Sequence, residues 1–364
     1  MKKIVNGIFL IINLLVILCV LITYLGGVVG PDKWVIPAFF SLVFPLIILG
    51  NILFVLFWLL SKKWFFLFSL VTLVVAFPKI SIVFPLHTEK VEAGGEKTFC
   101  LMSYNTCMSG GFQKHTKESP NPVIQHVLDS EADVVCLQEF GVLNRAKYLT
   151  DSDVRQALRK SYPYKHIYYK EDNKYRKAGI ATFSKFPIIN QQVIDFPSKS
   201  NSAIYSDILI FGDTVRLINC HLESNKLTEQ DKAMPLELRN NFDAESLSQV
   251  TMHLSRKLGT AYRTRAEQAR IVRQVVDESP YPVIVCGDFN DVPLSYAYTT
   301  VKGKDLKDSF AEHGLGFGNT FNERFYKFRI DYIFHDERTV ALDIKRDKVN
   351  YSDHYPLVAT IAMQ

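Results

Sequence analysis

The chain has 364 residues, 48% of them hydrophobic, and a formal net charge of +5. That charge belongs to the first 86 residues, where Lys2, Lys3, Lys33, Lys62, Lys63 and Lys79 face one acid, Asp32. Residues 87–364 hold 36 basic and 36 acidic side chains, so they lack the basic excess of a non-specific polyanion binder, although a local basic patch remains compatible, and the length exceeds one ordinary core.

Three apolar stretches open the chain: residues 4–29, 34–60 and 64–86. A span needs about 20 apolar residues, so these predict a transmembrane region of three helices over residues 1–86. Pro37, Pro45 and Asn51 are candidate kinks in the second stretch, and Pro78 and Lys79 interrupt the third. A cleaved signal peptide fits poorly, because the first run is too long and two more follow it. Trp34 and Trp64 suit interfacial anchors, and Lys2, Lys3, Lys62 and Lys63 mark the cytoplasmic side. The expectation is a multi-pass membrane protein, in a plasma or inner membrane, whose remaining residues lie outside the cytoplasm. If the third stretch only dips into the bilayer, they would lie inside.

Residues 87–97 read as a polar linker with Gly94-Gly95. Beyond it, residues 98–364 alternate apolar strand-like runs with helical ones. Strands are predicted over 98–104, 133–137, 178–183, 188–196, 203–211, 215–220, 283–286, 330–334 and 357–361, rich in β-branched and aromatic residues. Helices are predicted over 122–130, with Pro122 near its first position, over 151–161, and over 264–278. Residues 224–261 are polar with amphipathic helical pieces. Many strands with a few long helices predict an α+β domain, a sheet sandwich covered by helices.

Cys100, Cys136, Cys220 and Cys286 each sit in an apolar strand-like run and read as buried free thiols; Cys107 lies near a Gly-rich turn and Cys19 in a span. No closely spaced Cys/His cluster resembles a zinc site. His115, His166, His253, His313 and His335 read as surface or loop residues, and Arg265 and Gln268 as braces between a helix and the sheet. Tyr162, Tyr164, Tyr168 and Tyr169 read as strand and core.

The chemistry collects at strand ends. Successive apolar runs deliver Asn105, then Gln138 and Glu139, then His221, then Asp288 and Asn290; Asp331 interrupts an apolar run, and Asp353 and His354 precede the last strand. Singly, each has a structural use: Gly287-Asp288 as a turn, Asn105 as a cap, Glu139 as a surface acid. Asp331 is unusual even alone, because a buried acid needs a partner. Jointly they supply oxygen ligands for a hard cation such as Mg²⁺, with Glu139 the best carboxylate ligand and Asn105 beside it. Two histidines and two further acids remain for proton transfer, and Asp331 could hold His354.

As a set, Ser103-Tyr104-Asn105, Leu137-Gln138-Glu139, Asn219-Cys220-His221-Leu222, Gly287-Asp288-Phe289-Asn290, Arg329-Ile330-Asp331-Tyr332 and Ser352-Asp353-His354 resemble the endonuclease/exonuclease/phosphatase superfamily, related to deoxyribonuclease I, exonuclease III-type nucleases and neutral sphingomyelinases. The resemblance covers residues 98–364 and implies a four-layer α/β/β/α sandwich, a divalent metal, usually Mg²⁺ with Mn²⁺ as a substitute, and hydrolysis of a phosphoester. It implies that Glu139 binds the metal with help from Asn105, with Asp353 near a metal. Asp288 would orient or deprotonate the attacking water, and Asn290 would contact the phosphate or hold Asp288. His221 and His354 would bind phosphoryl oxygens, and Asp331 would orient His354.

Three substrate readings compete: a nuclease outside the cytoplasm, a phospholipid phosphodiesterase resembling the neutral sphingomyelinases, and a membrane scaffold that kept the fold without catalysis. The last is disfavoured because no carried-over position is replaced. Inositol-polyphosphate phosphatases are disfavoured because Asp291-Val292 follows Asn290, and apurinic-site endonucleases because Phe140-Gly141 follows Glu139. The expected partners are a phosphodiester, from nucleic acid or a phospholipid headgroup, and the membrane; no obligate protein partner is implied. The 224–261 stretch could cover or gate the substrate.

Overall fold

In a computed structural model, which describes residues 2–364 apart from 88–94, 96, 117, 146, 241–242 and 324–325, the apolar runs become two six-stranded sheets. Most of the expected linker 87–97 lies outside the described residues. The strands are β1 (Thr98–Asn105), β2 (Val134–Leu143), β3 (Tyr164–Asp172), β4 (Arg176–Ser184), β5 (Ile188–Ile194), β6 (Ala203–Ile210), β7 (Asp213–His221), β8 (Val283–Asp288), β9 (Lys307–Asp308), β10 (Phe321–Asn322), β11 (Lys327–Phe328), β12 (Asp331–His335), β13 (Thr339–Arg346) and β14 (Leu357–Met363). One sheet runs β13-β14-β1-β2-β4-β3 and the other β5-β6-β7-β8-β12-β9.

Both sheets are antiparallel except at one central pair, β1 with β2 and β7 with β8. Ligands collect where strand direction switches and strand carboxyl ends face one crevice. Here β1, β7 and β8 end at Asn105, His221 and Asp288, and the register sets Asn105 beside Gln138 of β2 and His221 beside Asp288.

The sheets face each other across Leu101, Val134, Cys136, Leu217, Ile284, Cys286, Ile333 and Leu357, all buried. Helices Pro122–Asp129 and Asp151–Leu158 cover the outer face of the first sheet through Val123, Val127, Val154 and Leu158. Ala269, Val272 and Val276 of the long helix and Tyr298 and Val301 of Tyr296–Lys302 cover the second. Helix, sheet, sheet and helix form the four layers.

Several elements differ from the sequence reading. The pieces expected over 224–261 and the helix expected over 264–278 become Glu229–Asn240 and one 34-residue helix, Ala244–Asp277. Only its second half packs on the sheet: its buried residues begin at Gly259, so the first half shows no core-facing stripe. β13, which carries Asp343, Lys345 and Arg346, is not among the predicted strands; antiparallel pairing with β14 makes it one. His166 and His335, expected on the surface, are buried, at 6% and 0% exposure. His166 Nδ1 meets Ser206 Oγ at 3.0 Å, and His335 Nε2 meets Glu312 Oε2 at 3.0 Å. Distant partners satisfy both rings, which no local pattern reveals.

The N-terminal helices are α1 (Lys2–Gly26), α2 (Ile36–Leu42), α3 (Phe44–Leu60) and α4 (Phe66–Val83). Two are long and apolar enough to cross a membrane, three if α2 and α3, bent by 70°, count as one span. The break falls at Val43, where Pro45 at the start of α3 cannot donate to the preceding turn. α4 runs through Pro78 and Lys79 rather than breaking there. Asn13 joins α1 to both neighbours: its Nδ2 donates to Ser69 Oγ at 2.6 Å, and its Oδ1 accepts from Trp58 Nε1 at 3.0 Å.

The membrane-type helices touch the sandwich at one end. Ser41 Oγ donates to Leu294 O at 3.3 Å, Arg329 Nη2 to Ile82 O at 2.6 Å, Arg270 pairs with Asp32, and the Phe39 ring meets Tyr262 edge-on.

Candidate active site

Asp288 ends β8, and the strand register places it beside His221 of β7 on one flank and Asp331 of β12 on the other. This neighbourhood depends on Gly287. Its φ is +132°, and a Cβ there would lie 1.9 Å from Cys220 O on the adjacent strand, so only glycine permits the approach. The run Gly287-Asp288 is therefore the end of a strand, not a free turn.

Asp288 is held from several directions. Its Oδ2 accepts from Asn105 Nδ2 at 2.8 Å and from Asn290 Nδ2 at 3.2 Å, and its Oδ1 accepts from Asn290 N at 2.7 Å. Asn290 takes φ +52°, a left-handed conformation that asparagine tolerates. His221 Nε2 and His354 Nε2 each lie 3.7 Å from Asp288 Oδ2. His354 Nδ1 is bonded to Asp331 Oδ2 at 2.8 Å.

The two histidines are held in opposite states. Burial lowers the pKa of His221, and Asn201 Nδ2 donates to its Nε2 at 2.9 Å, which leaves that nitrogen as an acceptor on a neutral ring. Burial also works against a charged His354, but Asp331 and Asp288 outweigh it and push its pKa up to about 10. Burial raises the Asp288 carboxyl, and the Asp331 charge adds to the shift.

Glu139 reaches the site from the other sheet. A bulge in the β2–β4 pairing between Leu137 and Phe140 turns it out of the ladder, with φ +46°. Asn105 Nδ2 approaches its Oε1 at 3.4 Å and His221 Nε2 at 3.6 Å. Behind it, Gln138 Nε2 donates to Asn219 Oδ1 at 2.7 Å and ties the sheets together beneath the site. Asp353 borders the same cleft as Glu139, Asp288, Asn290 and His354.

Thus the structure brings Asn105, Glu139, His221, Asp288, Asn290, Asp331 and His354 into one contact network, with Asp353 at its edge. Asn105 turns its amide nitrogen to the two carboxylates while its Oδ1 accepts from Cys107 N at 3.1 Å. Asn201, which fixes His221, had no signal in the sequence, being one polar residue in a serine-rich loop. Arg265, read as a brace, does bond Glu223 O at 2.7 Å and pair with Asp291 at 3.1 Å, but it also lines the cleft, and its buried Nη2 has no partner.

Three carboxylates, Glu139, Asp288 and Asp353, line this end of the cleft, and behind His354 a fourth, Asp331, has its Oδ1 buried without a hydrogen-bond partner. Burial raises the Glu139 carboxyl, and Asp353 and Asp331 add to the shift, so a cation here would relieve repulsion. Hard oxygen donors of this kind fit a divalent cation. Asp288, Asp331 and His354 offer atoms within 4.8 Å of one another, but they are fully buried and already bonded. Glu139 keeps 29% of its side chain exposed, so it remains the better ligand.

A cleft of about 450 Å³ opens from these acids. Its far wall comes from the 224–262 segment, through Leu227, Pro235, Leu254, Leu258 and Tyr262, and from α2, through Leu42.

Comparison with known proteins agrees with this geometry. The profile of the Endonuclease/Exonuclease/phosphatase family matches residues 102–354, and a domain of unknown function (DUF8431) matches residues 6–83. No curated protein matches the chain. Among solved structures, an endonuclease/exonuclease/phosphatase from Beutenbergia cavernae is similar at 17% identity and TM-score 0.50, covering 73% of this chain and 72% of that one. TDP2 from D. rerio, solved with a single-strand DNA product, is similar at 17% identity and TM-score 0.49, over 74% of this chain and 100% of that one. The human Nocturnin catalytic domain is similar at 15% identity and TM-score 0.47, over 76% and 100%.

Proposed function

The chain belongs to the endonuclease/exonuclease/phosphatase family, whose fold is that of a metal-dependent phosphoesterase, and from that premise we propose that it is a membrane-anchored phosphodiesterase. The observation that carries the proposal is Asp288, clasped by Asn105 and Asn290 and flanked by His221 and His354. Phosphoryl transfer needs positioning and charge neutralisation more than covalent help from the protein.

In this reading Glu139 holds a divalent cation, Mg²⁺ or Mn²⁺, with Asp353 at its edge. When bound, the cation neutralises charge on the phosphoryl oxygens. Asp288 orients the attacking water and takes its proton as the new P–O bond forms and the ester P–O bond breaks, and that proton returns through solvent to the departing oxygen. Asn290 and Asn105 fix the carboxylate, so both act as positioning residues. His354, kept cationic by Asp331, donates to a phosphoryl oxygen, and His221 lines the opposite side.

The N-terminal helices anchor the enzyme, with residues 98–364 as the catalytic domain. α1 ends, and α3 begins, beside the sandwich, whereas Lys2, Lys3, Lys62 and Lys63 lie at the other end of the bundle. Positive charge at that end favours an extracytoplasmic catalytic domain. Protease added outside intact cells should cleave the domain; protection from it would reverse the orientation.

The function is tested by a screen of the purified full chain, with Mg²⁺, on single- and double-stranded DNA, RNA, sphingomyelin and bis-p-nitrophenyl phosphate, with Asp288→Ala alongside. Hydrolysis that persists unchanged in the variant contradicts the mechanism. Inactivity of the native chain on every substrate favours a scaffold.

A further inference from the structure

The cleft does not end at the acids. It shares Leu42, Val292 and Phe328 with a second cavity of about 290 Å³, walled by Ser41 and Pro45 of the α2–α3 elbow and Val83 of α4. A tract of cavities therefore leads from Asp288 to the ends of helices apolar enough to lie in a bilayer. Its walls are apolar for most of that length: Leu42, Leu254, Leu258, Phe321, Tyr326 and Phe328 line it and remain half-exposed there.

A cleft lined this way, with a few polar groups at one end, is suited to an amphiphile. A polynucleotide would need cations along its path. Most cations that line the tract are instead engaged, Lys226 by Glu223, Lys232 by Glu323 and Glu229, and Arg329 by Asp308 and Ile82 O, while Lys327 of the second cavity is exposed. Arg265, which also lines the cleft, is spent on Glu223 O, on Asp291 and on the face of the Tyr262 ring.

We propose that the substrate is a phosphodiester lipid of the same membrane, with its phosphate at Asp288 and its apolar chain against Leu42, Leu254, Leu258 and Phe328. The α2–α3 elbow is the threshold the chain crosses. The proposal rests on the phosphodiesterase reading and narrows it to one substrate class.

The test uses the full chain in dodecyl maltoside micelles, which hold no phosphodiester, with Mg²⁺, and compares methyl with octyl p-nitrophenyl phosphate. The native chain should favour the octyl diester by about 30-fold in kcat/KM, as partial burial of seven further methylenes allows. Leu258→Asn should reduce that ratio about tenfold, and so should Leu42→Asn, which lies on a different helix. Met252→Asn, on the exposed outer face of the long helix, should keep it. No octyl preference, or a preference that survives in both cleft variants because it reflects partitioning into the micelle alone, overturns the proposal. Turnover of the methyl diester that needs Asp288 would then leave the phosphodiesterase reading standing. Turnover of neither diester would overturn both.

Discussion

At the floor of the cleft, Asp288 has four nitrogen-bearing neighbours within 3.7 Å, each carried by a strand end or the loop beside it. Along the wall, Leu254 and Leu258 project from a helix half that packs on neither sheet, and Leu42 comes from outside the sandwich altogether. The floor is fixed by strand register, which a one-residue slip would destroy. The wall is fixed by helix placement and by the contact with the N-terminal bundle. Such a division lets one reaction centre serve different substrates, because the wall can change without moving an acid.

Changes to the floor should cost activity on every substrate, and changes to the wall only on some. The largest loss is expected for Asp288→Asn, about 10³-fold in kcat on both methyl and octyl p-nitrophenyl phosphate, since a positioned general base contributes about 10²–10⁴. A loss confined to one substrate would break the distinction. Asp331→Asn should follow at about 10²-fold, because His354 loses the carboxylate that keeps it charged. The His354 imidazole proton resonances, followed by NMR against pH, should show its pKa fall in this variant; an unchanged titration would mean Asp331 is only structural.

Smaller effects sharpen the boundary. Gly287→Ala should destabilise the sandwich by about 3 kcal/mol, read as a lower denaturation midpoint, since the added Cβ meets Cys220 O. Asn201→Ala should cost about tenfold in kcat with little change in KM, because it frees the His221 ring without touching the cleft wall. Trp58→Phe should leave kcat within twofold and lower only the thermal stability of the bundle, by removing the Asn13 bond.

The floor was legible in the sequence for the same reason that it is rigid. Asn105, Glu139, His221 and Asp288 each follow an apolar run and Asp331 interrupts one, so they announce themselves as polar groups on buried strands. Their mutual order was legible only in part: the resemblance offered Asn290 either to the phosphate or to Asp288, and the choice between them, like the inward turn of the Asn105 nitrogen, depends on side-chain rotation. Of the wall, the sequence marked only that residues 224–261, which follow His221, could cover the substrate; its individual residues left almost no trace. The first half of Ala244–Asp277 lacks a core-facing stripe, Arg265 looks like any helix arginine, and nothing in residues 34–60 marks Leu42 as part of a cleft. His166 and His335 passed for surface residues because Ser206 and Glu312, which satisfy them, lie far away in sequence.

Metal dependence at Glu139 tests the central claim most directly. Hydrolysis of bis-p-nitrophenyl phosphate by the full chain should stop on chelation, return on adding Mg²⁺ or Mn²⁺, and fail to return at the same Mg²⁺ concentration in Glu139→Gln. Undiminished turnover under chelator, or a Glu139→Gln enzyme that responds to Mg²⁺ as the native one does, would contradict it.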